Sequence, residues 1–183
     1  MTRPTKAEVA ACHGQTMPDI IAPNLDVLFC GINPSLYSVA IGHHFGRPGN
    51  RFWKALYKAG FTPRLYDPSE DVALLELGYG ITNMAPRATA RADELSKAEI
   101  KAGRKLLSDK IQTYSPKCLA FLGITAYRIA FGEPKAKIGP QPDWDGVQIW
   151  ALPNPSGLNA HYQADDLAEV YSWVLTSVDN YPL

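Results

Sequence analysis

A chain of 183 residues, 46% hydrophobic and 20% charged, has room for one domain with a sizeable core and little for a second. Eighteen basic side chains balance eighteen acidic ones, which argues against a generic polyanion binder, and no apolar run reaches membrane-span length. No basic stretch followed by an apolar core opens the chain, so the expectation is a cytoplasmic protein without membrane contact, with Cys12, Cys30 and Cys118 as buried, reduced thiols.

Residues 1–22 lack a sustained pattern and read as an N-terminal arm free to move, leaving 23–183 as one domain. The run 26–31 (DVLFCG) reads as a strand, and about fifteen residues without regular pattern follow it. Next, NRFWKALYKAG (50–60) has Asn50 as an expected N-cap and Gly60 as a stop. A short acidic helix near 69–77 leads to a second strand, 79–84. Ser96-Lys-Ala-Glu99 is a capping box opening a helix, with Ile100, Leu106, Leu107 and Ile111 expected inside. A third strand (117–123) runs into the helix ITAYRIAF, a fourth strand covers 147–153, and a closing helix covers 165–175. Strands alternating with helices predict an α/β fold, a three-layer αβα sandwich around a four-stranded, mainly parallel sheet.

Charge is unevenly spread. From residue 27 to 66 there are Arg47, Arg51, Lys54, Lys58 and Arg64 but no acid, whereas after Lys137 there are acids but no Lys or Arg. A positive face can therefore exist on a neutral protein. In open α/β sheets ligands sit beyond the carboxyl ends of strands. There this chain has Asn33-Pro34-Ser35 after the first strand and Asn154-Pro155-Ser156 after the last. Gly-x-Ser-x-Gly, the phosphate-binding Gly-x-x-x-x-Gly-Lys and the zinc-deaminase signature are absent, and His43-His44 has no spaced partner for a metal. What remains is a site of amides, backbone groups and aromatics.

These motifs, GINPS (31–35), HHF…GNRFWKAL (43–56), GITNM (80–84) and LPNPSGL (152–158), resemble in order those of the mismatch-specific uracil-DNA glycosylases and thymine-DNA glycosylases. The resemblance implies double-stranded DNA containing G·U or related mismatches as partner, and a monomeric enzyme without metal or cofactor. Such an enzyme flips uracil out and hydrolyses its N-glycosidic bond, leaving an abasic site.

Residue by residue, Asn33 would position the attacking water, and the main-chain N–H groups near Ile32 and Phe45 would stabilise the departing base. Phe45 would stack on that base, and Ser38 would line its pocket. Asn154, Pro155, Ser156, Gly157 and Leu158 match the intercalating loop: Leu158 is the wedge, Gly157 allows close approach to the orphaned guanine, and Ser156 faces a phosphate. Ala160 stands where related bacterial enzymes carry Arg, which implies weaker retention of the abasic product. Arg87 and Arg91 are candidate phosphate contacts and Asp93 a secondary catalytic candidate. No lysine matches a Schiff-base nucleophile, so strand cleavage is not expected. The alternative is a non-catalytic module that binds damaged or mismatched DNA with the same pocket and wedge; a small-molecule nucleoside hydrolase fits less well, without clustered aspartates.

Overall fold

The structure, a computed structural model, describes residues 3–179; residues 1–2 and 180–183, the outer ends of the expected arm and domain, lie outside the described residues. Four parallel strands form the centre of the sheet: β1 (Val27–Gly31), β2 (Tyr79–Asn83), β3 (Cys118–Leu122) and β5 (Val147–Leu152). A fifth, β4 (Gly139–Trp144), pairs antiparallel with β5 at one edge and gives the order β2-β1-β3-β5-β4. The expected four-stranded sheet is thus five-stranded. Its extra member contains Pro140 and Pro142, which an edge strand tolerates because one side of its backbone has no partner.

Strand periodicity builds the layers. Val27 and Phe29 point into one core with Phe52, Leu56, Leu167 and Tyr171, contributed by α3 (Phe52–Ala59) and α6 (Ala164–Asp179). Leu28 and Cys30 point into the other core with Leu107, Ile111, Ala126 and Tyr127, from α4 (Lys97–Tyr114) and α5 (Ile124–Phe131). Both faces being covered explains why the strands are apolar throughout. All three cysteines are free and buried, and burial pushes the thiols of Cys30 and Cys118 far up.

Several local expectations shift. Ser96 and Glu99 form the capping box of α4, but Leu106 lies 44% exposed rather than inside. Arg51 is the N-cap of α3, and Asn50 instead accepts the Phe52 amide at 2.9 Å from one residue further out. The acidic segment is a 3₁₀ helix, Pro68–Leu77, opened by a capping box between Asp67 and Glu70 and closed at Gly78. Part of the long loop after β1 is helical: α2 (Leu36–Ile41) starts at a Ser35 cap and stops at Gly42 in the left-handed region.

The expected arm carries α1 (Lys6–Ala11), with a Thr5/Glu8 capping box, and is hydrogen-bonded to the domain between His13 and Ile20. Gly14 donates to the Ala88 carbonyl, Ala88 donates to the Gln15 carbonyl, and Ile20 bridges Ile81. No helix among the described residues is long and apolar enough to cross a membrane.

Helix α4 reaches the sheet through Gly103, where a Cβ would run into the carbonyl of Met84. Gly103→Ala gains about 1 kcal/mol of helix propensity but overpacks against backbone that cannot move aside, a cost of about 1–3 kcal/mol. The variant is expected to be less stable in urea unfolding; equal or greater stability would mean that α4 can lift off Met84.

Candidate active site

The carboxyl ends of β1, β2, β3 and β5 open into a cavity of about 380 Å³. Its floor is made where β1 and β2 continue to pair beyond the strands. The Met84 amide donates to the Gly31 carbonyl, Ala85 to Ile32 and Thr89 to Pro34, so residues 84–89 run beside 31–35. Gly31 is needed here for close approach, because a Cβ would sit 2.6 Å from Asn83 Oδ1.

Asn33 leaves the end of β1 and its side chain is fixed by what it donates. Its Nδ2 bonds the Arg87 carbonyl at 2.9 Å and Thr89 Oγ1 at 2.7 Å, and Thr89 spends its own proton on the Arg91 carbonyl at 2.7 Å. A hydroxyl that donates elsewhere must accept here, so the nitrogen of the Asn33 carboxamide faces Thr89. Its Oδ1 is thereby left as an acceptor on the cavity side. Thr89, only 2% exposed, was not singled out from sequence.

Phe45 lines the same cavity and stacks on Phe52, ring centroids 4.0 Å apart. Its φ of 53° is in the left-handed region, unfavourable for a non-glycine residue by roughly 1–2 kcal/mol. The surrounding loop holds it there. Asp71, 2% exposed on the 3₁₀ helix, accepts the His44 amide at 3.0 Å and bonds His43 Nδ1 at 3.2 Å. His44 Nε2 meets the Pro18 carbonyl at 2.8 Å and so carries the proton on that nitrogen, while Trp53 Nε1 donates to the His44 carbonyl. The histidine pair is thus a loop anchor; among the described residues no group of three or more His, Cys, Asp or Glu could hold a metal ion. Ser38, 3% exposed, accepts from Ser35 Oγ at 2.9 Å and from the Gly46 amide at 3.3 Å, so it also ties the loop while lining the cavity.

The amides of Ile32 and Phe45 make no hydrogen bond among the described residues, although both residues line the cavity. Asn83, 8% exposed, turns an unengaged carboxamide to the same space. The sequence offered it only as the fourth letter of GITNM.

Across the cavity, residues 154–159 form a compact turn. Asn154 Oδ1 accepts the Ser156 amide, Ser156 Oγ accepts the Leu158 amide, and Asn159 Nδ2 donates to the Asn154 carbonyl. Buried Tyr171 donates to the Pro153 carbonyl at 2.9 Å, and the Arg51 amide donates to the Pro155 carbonyl. Arg51 is the main organiser: Nη1 reaches the carbonyls of Ser156, Asn159 and Tyr162 at 3.2, 2.8 and 3.0 Å. Gly157 packs on Gly49, whose carbonyl would lie 2.7 Å from a Cβ, so the glycine serves loop-to-loop contact. Leu158 stands 69% exposed at the tip, between the cavity and a second depression of about 340 Å³ lined by residues 47–51.

The cations are less free than the sequence suggests. Arg87 is held by Glu99, whose carboxyl the Arg87 hydrogen bonds and the Ser96 cap bring down to about 2, and it also donates to the Glu94 carbonyl. Arg91 forms a two-point pair with Asp93 at the cavity rim, at 2.7 and 3.1 Å. Lys58 pairs with Asp165 and Arg64 with Glu70. Arg47 and Lys54 have no carboxylate partner among the described residues, and Arg47 lines both the cavity and the groove beside Leu158.

Residues 18–174 match the Uracil DNA glycosylase superfamily, from the end of the arm into α6. The chain belongs to that superfamily. A solution NMR structure from Methanosarcina acetivorans, of a protein provisionally assigned as a uracil DNA glycosylase, has the same fold with a TM-score of 0.52. It is 16% identical, and the alignment covers 88% of this chain and 98% of that one.

His44 yields a pH test. Burial pushes its imidazole below the ordinary value, so the folded protein resists a proton that the unfolded chain binds near pH 6.5. This contribution to stability is fully present above about pH 6.5 and is lost as pH falls below it. Stability in urea is expected to decline from pH 7 to 5.5, and His44→Gln, which keeps a donor for the Pro18 carbonyl, should flatten part of that decline. Parallel pH curves for the two proteins would contradict it.

Proposed function

We propose that this member of the superfamily is a monofunctional, mismatch-specific uracil-DNA glycosylase that acts as a monomer on uracil opposite guanine in duplex DNA. The observation that carries the reading is the Asn33–Thr89–Arg91 relay, which leaves an amide oxygen aimed at a cavity whose wall includes Phe45. An exposed Leu158 beside that cavity supports base flipping, since an apolar wedge offsets part of the unstacking cost.

In this mechanism the extruded uracil stacks on Phe45, an interaction worth roughly 1–3 kcal/mol per base. The Asn83 carboxamide can accept from the N3–H of the imide and donate to the adjacent carbonyl. Asn33 Oδ1 accepts one hydrogen of a water and aims its oxygen at C1′ of the sugar. As the C1′–N1 bond breaks, its electron pair leaves with the base, and the water oxygen bonds C1′. Negative charge grows on the uracil oxygens, where the Ile32 and Phe45 amides can donate; one such donor is worth about 10²–10³-fold. The water's second proton passes to solvent or to Asp93, and the uracil anion is protonated on release. The products are an abasic site and free uracil.

An amide cannot remove a proton at the start of reaction, and a positioned general base typically contributes roughly 10²–10⁴-fold, so the enzyme is expected to be slow. Asp93 becomes available only if Arg91 leaves it, which a DNA phosphate at the rim would favour. Arg47 and Lys54 are the better phosphate contacts, because Arg87 is committed to Glu99.

Single-turnover incubation with a labelled duplex holding one G·U pair tests the reading. Wild type should release uracil, Asn33→Ala should lose about 10²-fold or more in rate while still binding, and Asp93→Ala should lose less. Tight binding with no release by wild type would instead support a non-catalytic sensor of mismatches.

A further inference from the structure

Strand β4 runs antiparallel to β5, and its first residue, Gly139, pairs with Ala151 near the carboxyl end of β5. The segment that leads into β4 therefore lies at the cavity end of the sheet, beside the strand from which the Leu158 turn departs. That segment is Lys135-Ala136-Lys137-Ile138. Ala136 packs against one core and Ile138 against the other, whereas Lys135 and Lys137 are exposed.

The backbone that carries these lysines is fixed. Nε and Nη2 of Arg128 both donate to the Ala136 carbonyl, at 2.9 and 2.5 Å, and the Ala136 amide donates to the Glu133 carbonyl. Gln141 Nε2 donates to the carbonyls of Lys137 and Gly139 at 2.7 and 3.0 Å. Neither ammonium group has a carboxylate partner among the described residues. The acids of the hairpin, Asp143 and Asp145, sit at its turn, towards the opposite end of the sheet. Lys137 is also the last cation in the chain, so neither the Leu158 turn nor α6 brings one of its own.

Strand order places these charges. Relative to β5 and its turn, the Arg47 loop and the cavity belong to the β1 side, and Lys135 and Lys137 to the β4 side. A wedge that enters a duplex has one sugar-phosphate backbone on each side. The strand that gives up its base must pass the cavity mouth, where Arg47 stands, so cations beyond the wedge face the other strand.

We propose that Lys135 and Lys137 form a second phosphate-binding surface, which holds the guanine-bearing strand while the cavity takes the nucleotide opposite. This rests on the reading above of Leu158 as a wedge in duplex DNA. Such contacts fix the position of the duplex without reading sequence, and each contributes about 0.9 to the slope of log affinity against log salt concentration.

Binding is measured across a range of salt concentrations with duplexes holding 2′-fluorodeoxyuridine opposite guanine, a nucleotide whose glycosidic bond resists hydrolysis. One duplex is fully charged, another has uncharged methylphosphonate linkages flanking the guanine, and another has them flanking the uracil analogue. On the fully charged duplex, the double variant Lys135→Gln/Lys137→Gln should show a slope shallower by about 1–2 than wild type. The deficit should persist when the uracil strand is neutralised and nearly vanish when the guanine strand is; Arg47→Gln should show the reverse. An unchanged slope on the fully charged duplex, or equal deficits on the two neutralised ones, overturns the assignment. Base release from an ordinary G·U duplex is followed in parallel. Its absence beside the expected slopes overturns the catalytic reading and supports the two-strand grip on a non-catalytic mismatch binder.

Discussion

The hydrogen-bond relay from Asn33 through Thr89 to the Arg91 carbonyl is the constraint on which the site depends. A carboxamide is symmetric enough to sit either way round, and only a partner with a settled donor can choose between the two. Thr89 makes that choice because its single proton is already committed. It can do so only because residues 84–89 continue the parallel pairing of β2 beside β1 past the strand ends, and that pairing requires a glycine at 31. Sheet register, a glycine and a threonine hydroxyl thus combine to aim one oxygen.

The other side of the cavity is built by restraint rather than by regular structure. Phe45 is held in an unfavourable backbone conformation, and the cost is offset by its stack on Phe52 and by the Asp71, Ser38 and Pro18 contacts of its neighbours. Arg51 does the same for the Leu158 turn, satisfying three carbonyls with one nitrogen. Both loops are anchored on α3, which packs against α6, so the stacking ring and the exposed wedge share one rigid support.

Much of this architecture was legible in the sequence. Four apolar strands, the Ser96 cap and the glycine stops are local signals, and they correspond to elements found here. The edge strand β4 was hidden by its prolines, although Asp145-Gly146, both at positive φ, is a recognisable hairpin turn before β5. Helix α2 is too short for periodicity to register. In the site, Asn33, Phe45 and Leu158 could be singled out by motif. Thr89, Asn83 and Arg51 could not, because their importance lies in partners 50 or more residues away or in a shared cavity wall, and Asp71 could not, because it meets His43 and His44 from 28 and 27 residues along the chain. Arg87 shows the converse: its charge was plain, but its commitment to Glu99 is a tertiary fact.

The most direct test of the central claim is single-turnover uracil release from a G·U duplex by Thr89→Val. This change keeps the shape of the side chain but removes the acceptor that orients Asn33. The account predicts a loss of about tenfold or more in the rate of base release, with DNA affinity and thermal stability close to wild type. A variant that releases uracil as fast as wild type would show that the relay does not set the water's position.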